Sequence, residues 1–264
     1  MIRVGVLGAA GRMGRMVCRA VADDPELSLV AAVSPSSAGR PIADLIGPTD
    51  LDFRVSDDLN ALATAAVEVG VDFTTSQAVM ANVHTLIEHG IHAVVGTTGM
   101  GPKDLAEIER LASGANSNVI VAPNFAIGAV LMQRFATEAA RVLPAAEIIE
   151  LHHEDKPDAP SGTARATAER IATARVADTT APSSETIEGA RGADVAGIRV
   201  HAVRLPGLVA HQEVIFGGTG EVLTIRHDSL DRVSFMPGVL LAIKAVGDRP
   251  GLTLGLEPIL GLDA

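Results

Sequence analysis

Short apolar runs alternate with amphipathic stretches through the first half of the chain. Ile2 to Leu7 reads as a strand, and Arg12 to Asp23 as a helix with Met13, Met16, Val17, Ala20 and Val21 on one face. Leu27 to Val33 is a second strand pattern and Val71 to Phe73 a third short run, with a helix expected from about Ser76 to His89. Ala93 to Val95 and Val119 to Ala122 are further strands, separated by a helix that Pro102 opens and that runs to about Ser113. Strands alternating with helices predict an α/β domain with a doubly wound parallel sheet covered on both faces.

The pattern changes after Asn124. A helix is expected over Ile127 to Leu143. Glu147 to His153 then alternates in period two, with Ile148, Glu150 and His152 facing one way and Ile149, Leu151 and His153 the other. A helix follows from about Gly162 to Val176, then a Thr-, Ser- and Pro-rich surface loop over Asp178 to Glu185. Segments 198–205, 209–216 and 221–228 read as strands joined by Gly-containing turns, and the tail as a short helix (Val239 to Val246) with a strand-like end. This half is expected to be an α+β domain whose mostly antiparallel or mixed open sheet is free to pair with other subunits.

Composition narrows the functions available. Apolar residues make up 47% and charged residues 20% of the chain, enough for a core and too little charge for a disordered polyelectrolyte. Six Phe with no Trp and no Tyr mean an aliphatic core and no aromatic platform for stacked bases. The net charge of −11 opposes duplex phosphates, though a local cluster of donors can still hold a small anion. Cys18 is the single cysteine, so no internal disulfide forms, as in a reducing compartment. The first residues run into a strand pattern without a basic and apolar leader, and no apolar run reaches the roughly 20 residues a bilayer span needs. A cytoplasmic protein without membrane or nucleic-acid partners is expected.

Gly8-Ala9-Ala10-Gly11-Arg12-Met13-Gly14 joins the first strand to the first helix. Glycines there permit a tight turn, close approach of a diphosphate to the backbone, and close strand–helix packing, while the helix N-terminus offers N–H groups to phosphate. The spacing G-x-x-G-x-x-G is weak alone; its place between strand and helix makes it a Rossmann-like dinucleotide site. Arg12 and Arg15 flank the expected phosphate position, against a reading as solvated surface arginines. The second strand runs into Ser34-Pro35-Ser36-Ser37 with Arg40 beyond, and no carboxylate stands where the adenosine ribose of NAD is usually held. Small hydroxyls and an arginine suit a ribose phosphate; an unspecialised loop is the other reading. NADPH and NADH both stay open as cofactor.

A second cluster lies in the run from Glu150 to Ala164. His152 and His153 end a strand, Lys156 follows in a proline-braced loop, and Ser161-Gly162-Thr163 opens a helix. Hydride delivery to a conjugated acceptor leaves charge that a His or Lys must protonate, and a helix start with hydroxyls is a carboxylate cradle. Ordinary capping uses the same geometry. A metal is not expected, since no third ligand with zinc-like spacing is near.

These residues resemble the dihydrodipicolinate reductase family of bacterial lysine and diaminopimelate biosynthesis. The resemblance spans nearly the whole chain: the Gly8–Gly14 turn, Asp72-Phe73-Thr74, Gly96-Thr97-Thr98-Gly99, Ala122-Pro123-Asn124-Phe125, and above all the run from His152 to Ala164. The stretches Val209 to Val214 and His227 to Gly238 look like the actinobacterial branch. The resemblance implies that His152 is the proton donor or acceptor, Lys156 a second proton donor and His153 a substrate-binding histidine. It implies a substrate carboxylate on Gly162 and Thr163, beside the Ser161 hydroxyl already read as part of that cradle, and cofactor contacts from Gly96 to Thr98 and Ala122 to Phe125, beside those read from the residues at Gly8 to Gly14 and Ser34. It further implies a dinucleotide-binding domain over 1–124 completed by the tail 234–264, a substrate-binding and tetramerisation domain over 125–233, and a homotetramer acting on a small dicarboxylate. Crossings near Asn124 and Ser234 are expected to let the domains close over both ligands. Two positions depart from the family: Ser34 replaces its usual acidic ribose ligand, and Ala10 stands where close relatives often carry lysine. Arg232 is a candidate for the second substrate carboxylate, or a surface arginine near the crossing. Another reductase or amino-acid dehydrogenase on the same scaffold, or a non-catalytic dinucleotide sensor, are the alternative readings; proton donors at His152 and Lys156 weigh against the sensor.

Overall fold

The first strand shows why the sheet forms where it does. In the computed structural model, which describes residues 1–177 and 184–262, β1 (Ile2–Leu7) has Val4, Val6 and Leu7 all buried. Burial of both parities requires cover on both faces. The chain continues through α1 (Arg12–Asp23), β2 (Leu27–Val33), two short helices α2 (Ala43–Ile46) and α3 (Asn60–Thr64), β3 (Val69–Asp72), α4 (Val79–Glu88), β4 (His92–Val95), α5 (Pro102–Ala112) and β5 (Val119–Val121).

The pattern then changes, as expected after Asn124. Helix α6 (Ile127–Ala140) leads to β6 (Ala145–His152), α7 (Gly162–Ala174), β7 (Ala193–Val195), β8 (Ile198–Arg204), β9 (Ala210–Gly218) and β10 (Glu221–Ser229). These strands form a mixed sheet in the order β10-β9-β6-β8-β7, antiparallel except for β6 beside β8. Helices α6 and α7 cover one face, burying Ile148, Ile171, Val200, Val214 and Phe216. The chain ends with α8 (Met236–Ala245) and β11 (Leu252–Leu254), which joins the first sheet. That sheet is parallel throughout, in the order β11-β5-β4-β3-β1-β2. Two units result: Met1–Phe125 with Phe235–Ala264, and Ala126–Ser234.

Several boundaries differ from the sequence pattern for local reasons. The helix expected from Ser76 starts at Val79, because Ser76 to Ala78 form a turn in which Thr75 O accepts from the N–H of Ala78 and of Val79. The helix expected to reach Leu143 ends at Ala140, where Arg141 and Val142 form a turn ahead of Pro144. The helix expected to reach Val176 ends at Ala174, where Arg175 turns extended and its guanidinium reaches the carbonyls of Ala196 and Gly197. The loop expected over Asp178–Glu185 falls mostly outside the described residues. The short elements α2, α3 and β7 carry too little periodicity to be read. Among the described residues no helix is long and apolar enough to cross a membrane.

Candidate active site

The turn after β1 is built by the absence of side chains. Gly8 adopts a φ of +78°, and a Cβ there would lie 2.3 Å from the carbonyl oxygen of Phe73. A Cβ on Gly14 would lie 2.1 Å from the carbonyl oxygen of Gly8. The turn is thereby folded against the segment after β3, and α1 is seated directly on the turn. No side chain caps α1 at Gly11, and its first turn holds no acidic residue. Its leading N–H groups and positive dipole end are left for an anion, which is the fit a dinucleotide diphosphate requires. Arg12 is exposed beside them, whereas Arg15 Nε donates to the carbonyl of Ala10 at 2.9 Å and braces the turn.

Ser34 follows β2 and is 6% exposed. Its N–H donates to Ser56 O at 2.8 Å, and its hydroxyl lies 3.3 Å from that of Ser36. Arg40 pairs with Asp44 at 3.4 Å. Sequence reasoning missed Arg54, which bridges to Pro41 and donates to Gly39 O at 2.7 Å, adding a second cation to this loop.

The loops after β3 and β4 are tied by a buried carboxylate that sequence reasoning also left unassigned. Asp72 Oδ1 accepts from the N–H of Thr74 at 3.0 Å, Thr74 Oγ1 at 2.8 Å and Thr97 Oγ1 at 2.6 Å, and Oδ2 accepts from Asn82 Nδ2 at 2.7 Å. Gly96 N donates to Asp72 O, and Ala122 N to Val95 O. The rings of Phe73 and Phe125 meet at 5.7 Å. The predicted cofactor-lining segments, Gly96 to Thr98 and Ala122 to Phe125, therefore belong to one packed set of loops at the carboxyl ends of parallel strands, where open α/β sheets bind ligands. Thr98 and Pro123 are exposed, while Thr97, Ala122 and Phe125 are buried.

In the second unit, β6 delivers His152 at its end and α7 begins ten residues later. His152 Nδ1 lies 2.5 Å from Glu150 Oε2. Glu150 is fully buried, and Arg204 grips both its oxygens at 2.8 Å. Burial alone would raise the Glu150 pKa; hydrogen bonds from His152, Arg204 and the Ser161 N–H outweigh it and hold the carboxyl at about 2. Lys156 Nζ donates to Asp158 at 2.7 Å, which holds the Asp158 carboxyl below its ordinary range. His153 is half-buried, and its carbonyl accepts from Lys156 N. Ser161 caps α7 by accepting from the N–H of Ala164 at 3.2 Å, so its hydroxyl is already engaged. Gly162 is exposed and Thr163 half-buried in the first turn. The structure thus gathers His152, Lys156, Ser161, Gly162 and Thr163 around one short loop, with His153 beside it. Glu150 and Arg204 are the residues the sequence reading missed. The shared parity of Glu150 and His152 was a signal for the first; nothing local marked the second. Arg232 lies outside this cluster in sequence, in a short 3-10 turn before α8, and is half-buried. Among the described residues no group of His, Cys, Asp or Glu is arranged to hold a metal ion.

A glycine-built turn opening a helix on a doubly wound parallel sheet, with a His–Lys cluster in the companion unit, is the architecture of an NAD(P)H-dependent oxidoreductase. Comparison with known proteins narrows the class. The family model described as "Dihydrodipicolinate reductase, N-terminus" matches residues 2–125, and that described as "Dihydrodipicolinate reductase, C-terminus" matches 128–260. The chain belongs to this family. It is 52% identical over 266 residues to a 4-hydroxy-tetrahydrodipicolinate reductase of Nocardia farcinica, covering 99% of each chain. It is 51% identical over 264 residues to the protein of that name from Mycobacterium marinum, covering 99% of this chain and 100% of the relative. A dipicolinate-bound dihydrodipicolinate reductase from Paenisporosarcina sp. TG-14 superposes with a TM-score of 0.87 at 42% identity, covering 98% of this chain and 99% of that one.

Proposed function

We propose that this chain reduces 4-hydroxy-tetrahydrodipicolinate, or its dehydrated form, to tetrahydrodipicolinate with NADH or NADPH, in lysine and diaminopimelate biosynthesis. The observation that carries the reading is the grouping of His152, Lys156 and the start of α7 around one loop, in a chain about half identical along its whole length to reductases of that name. When bound, reduced nicotinamide supplies the hydride. The residues of the chain do the rest. His152 handles the proton at Nε2, the ring nitrogen that Glu150 does not engage. Lys156, steadied by Asp158, keeps further N–H donors for the substrate and acts as a second proton source. The N–H groups of Gly162 and Thr163, in the first turn of α7, receive one carboxylate, while Ser161 holds that turn in shape. His153 is the neighbouring donor for the substrate. That the Paenisporosarcina relative was solved with dipicolinate, a planar dicarboxylate, supports the substrate class.

Two finer statements belong to the same proposal. The open face of the second sheet, with Val222 70% exposed on the edge strand β10, supports assembly as a homotetramer. A lone buried cysteine and a reaction that consumes reduced nicotinamide support a cytoplasmic setting. The test is NADPH oxidation in the presence of the freshly made condensation product of pyruvate and aspartate semialdehyde. Turnover is expected; tight NADPH binding without turnover would favour a dinucleotide sensor instead. A monomeric mass in solution scattering would remove the tetramer.

A further inference from the structure

The second unit contains an ion pair between a buried glutamate and a half-buried arginine that the proposed chemistry does not itself use. Arg204 follows from the register of the sheet: on β8 it stands directly beside His152 of β6, and Ala202 stands beside Glu150. Its guanidinium can therefore lie over the end of β6 and reach past it. All five of its N–H donors are engaged. Nη1 donates to Glu150 Oε2 at 2.8 Å and Val203 O at 2.7 Å, and Nη2 to Glu150 Oε1 at 2.8 Å and Asp158 O at 2.6 Å. Nε donates to Lys156 O at 3.3 Å. One planar group thus touches both the carboxylate that holds His152 and the backbone of the loop that carries Lys156. Lysine, with a single compact ammonium, could not make this set of contacts.

The carboxylate is equally committed. Oε1 accepts from the Ser161 N–H at 3.0 Å and from Arg204, and Oε2 accepts from Arg204 and faces His152 Nδ1. A fully buried, doubly gripped carboxylate is ionised and has no proton to give. Nδ1 of His152 must then be the donor, which leaves Nε2 as the nitrogen that can exchange a proton. The other groups around the pair do not compete for that role. Lys156 and Asp158 pair with each other, and the neutral Gln212, beside Glu150 on β9, donates to Thr167 Oγ1, which also accepts from Gln133 of α6.

We propose that Glu150 and Arg204 form a positioning pair that fixes the ring tautomer of His152 and, through the same guanidinium, the loop bearing Lys156, so that one clamp registers both proton-handling groups. The inference rests on the roles given above to His152 and Lys156.

The first measurement needs no variant. Long-range proton–nitrogen correlation spectra of the full-length protein report which ring nitrogen of neutral His152 carries hydrogen. Hydrogen on Nδ1 is expected; hydrogen on Nε2 overturns the proposal. Glu150→Gln then keeps the shape but can both donate and accept, so it should release the tautomer into a mixture. It should lower kcat/KM by about 10- to 100-fold, as loss of a partner that orients a working histidine does. It should also change the shape of the pH–kcat/KM profile, since two ring tautomers rather than one then exchange the proton. A purely structural ion pair would change the melting temperature and leave tautomer and profile as they were. Arg204→Lys keeps a positive charge on Glu150 but loses the fork, so the tautomer should survive while kcat falls about 10-fold through the released Lys156 loop. Wild-type kcat in that variant removes the loop half of the clamp. If His152→Ala stays active, the reading of the site has failed. If His152→Ala is inactive while Glu150→Gln keeps the wild-type tautomer, profile and kcat/KM, the clamp alone has failed. Should Glu150→Gln not fold, the wild-type tautomer decides.

Discussion

The two helix starts singled out above, one in each unit, are made in opposite ways. Helix α1 begins at a glycine that no side chain caps, and its close packing depends on two positions where a single added carbon would strike a backbone oxygen. Helix α7 begins at Ser161, whose hydroxyl caps it and whose N–H is bound by a buried glutamate. The first start leaves bare backbone N–H groups, the kind of surface a long anion can lie against. The second is surrounded by paired charges, Glu150 with Arg204 and Lys156 with Asp158, which hold the loop where the histidine and lysine lie. Binding an extended cofactor calls for room and uncommitted N–H groups. Moving a proton, the role proposed for His152 and Lys156, calls for groups that stay put, and charges crosslinked between β6, β8 and the loop after β6 supply such a frame.

If the second region works through fixed proton carriers, removing either carrier should have the largest effect. His152→Ala and Lys156→Ala are each expected to lower kcat by about 10²-fold or more, the loss typical of a missing general acid. NADPH affinity should be unchanged in both, because the diphosphate turn belongs to the first unit. Activity within a few-fold of wild type in both variants would break the contrast at its functional end.

The next effect concerns the charge network as a stability element. The Glu150 carboxyl ordinarily titrates at 4.5 and is held at about 2 in the folded chain. A group with a depressed folded value contributes stability that is complete above its unfolded value and disappears as pH falls toward the folded one. The network should therefore contribute up to about 3 kcal/mol near neutral pH, lost progressively as pH falls from about 4.5 toward 2. Urea midpoints across that window should drop more steeply in the wild-type chain than in Glu150→Gln. Equal slopes would mean that the carboxylate is not held ionised by its partners.

In the first region the corresponding perturbation is steric. Gly14→Ala places a methyl group 2.1 Å from the Gly8 carbonyl oxygen, so α1 must shift off the turn. A loss of about 1–3 kcal/mol in stability is expected, as for an overpacked core. NADPH should also bind more weakly, read by fluorescence titration. Unchanged stability and affinity together would show that the turn tolerates bulk, and that its bareness is not what the cofactor needs.

This contrast also explains which parts were legible in the sequence. A site made by deleting side chains announces itself, because Gly8, Gly11 and Gly14 stand between an apolar run and an amphipathic one. The parallel sheet was legible for a related reason: strands buried on both faces read as unbroken apolar runs such as Val4 to Leu7. His152, Lys156 and Ser161 were legible because they are close in the chain. Arg204 was not, because its partner Glu150 lies 54 residues away and only the pairing of β6 with β8 brings them together. Asp72 was quoted within a family motif, yet its function as a tie between two loops depends on Thr97 from the loop after β4, 25 residues on. Arg54 reaches the Ser34 loop through an isolated bridge that no periodicity marks. Helix ends were set by local hydrogen bonds, as at Thr75 and Arg175, which hydrophobic spacing does not encode.

The smallest expected effect sharpens the first region further, at the adenosine end of the cofactor. Ser34 sits where the strand after the glycine turn finishes, in the place that an acidic residue usually holds in NAD-specific sites. Its backbone is fixed by the hydrogen bond to Ser56 O, so a replacement side chain should start from the same point. In Ser34→Asp the new carboxylate can accept from ribose hydroxyls and repels a 2′-phosphate. Neighbouring Arg40 and Arg54 would partly neutralise it, since both are exposed cations on the same loop. The net discrimination should be modest, about 1 kcal/mol for partly screened charges, or a few-fold toward NADH in the ratio of kcat/KM values for the two cofactors. Arg54→Ala should move the ratio the same way by weakening NADPH alone. A ratio that neither substitution changes would place the ribose away from this loop, and the bare turn would then bind the diphosphate with the adenosine running in another direction.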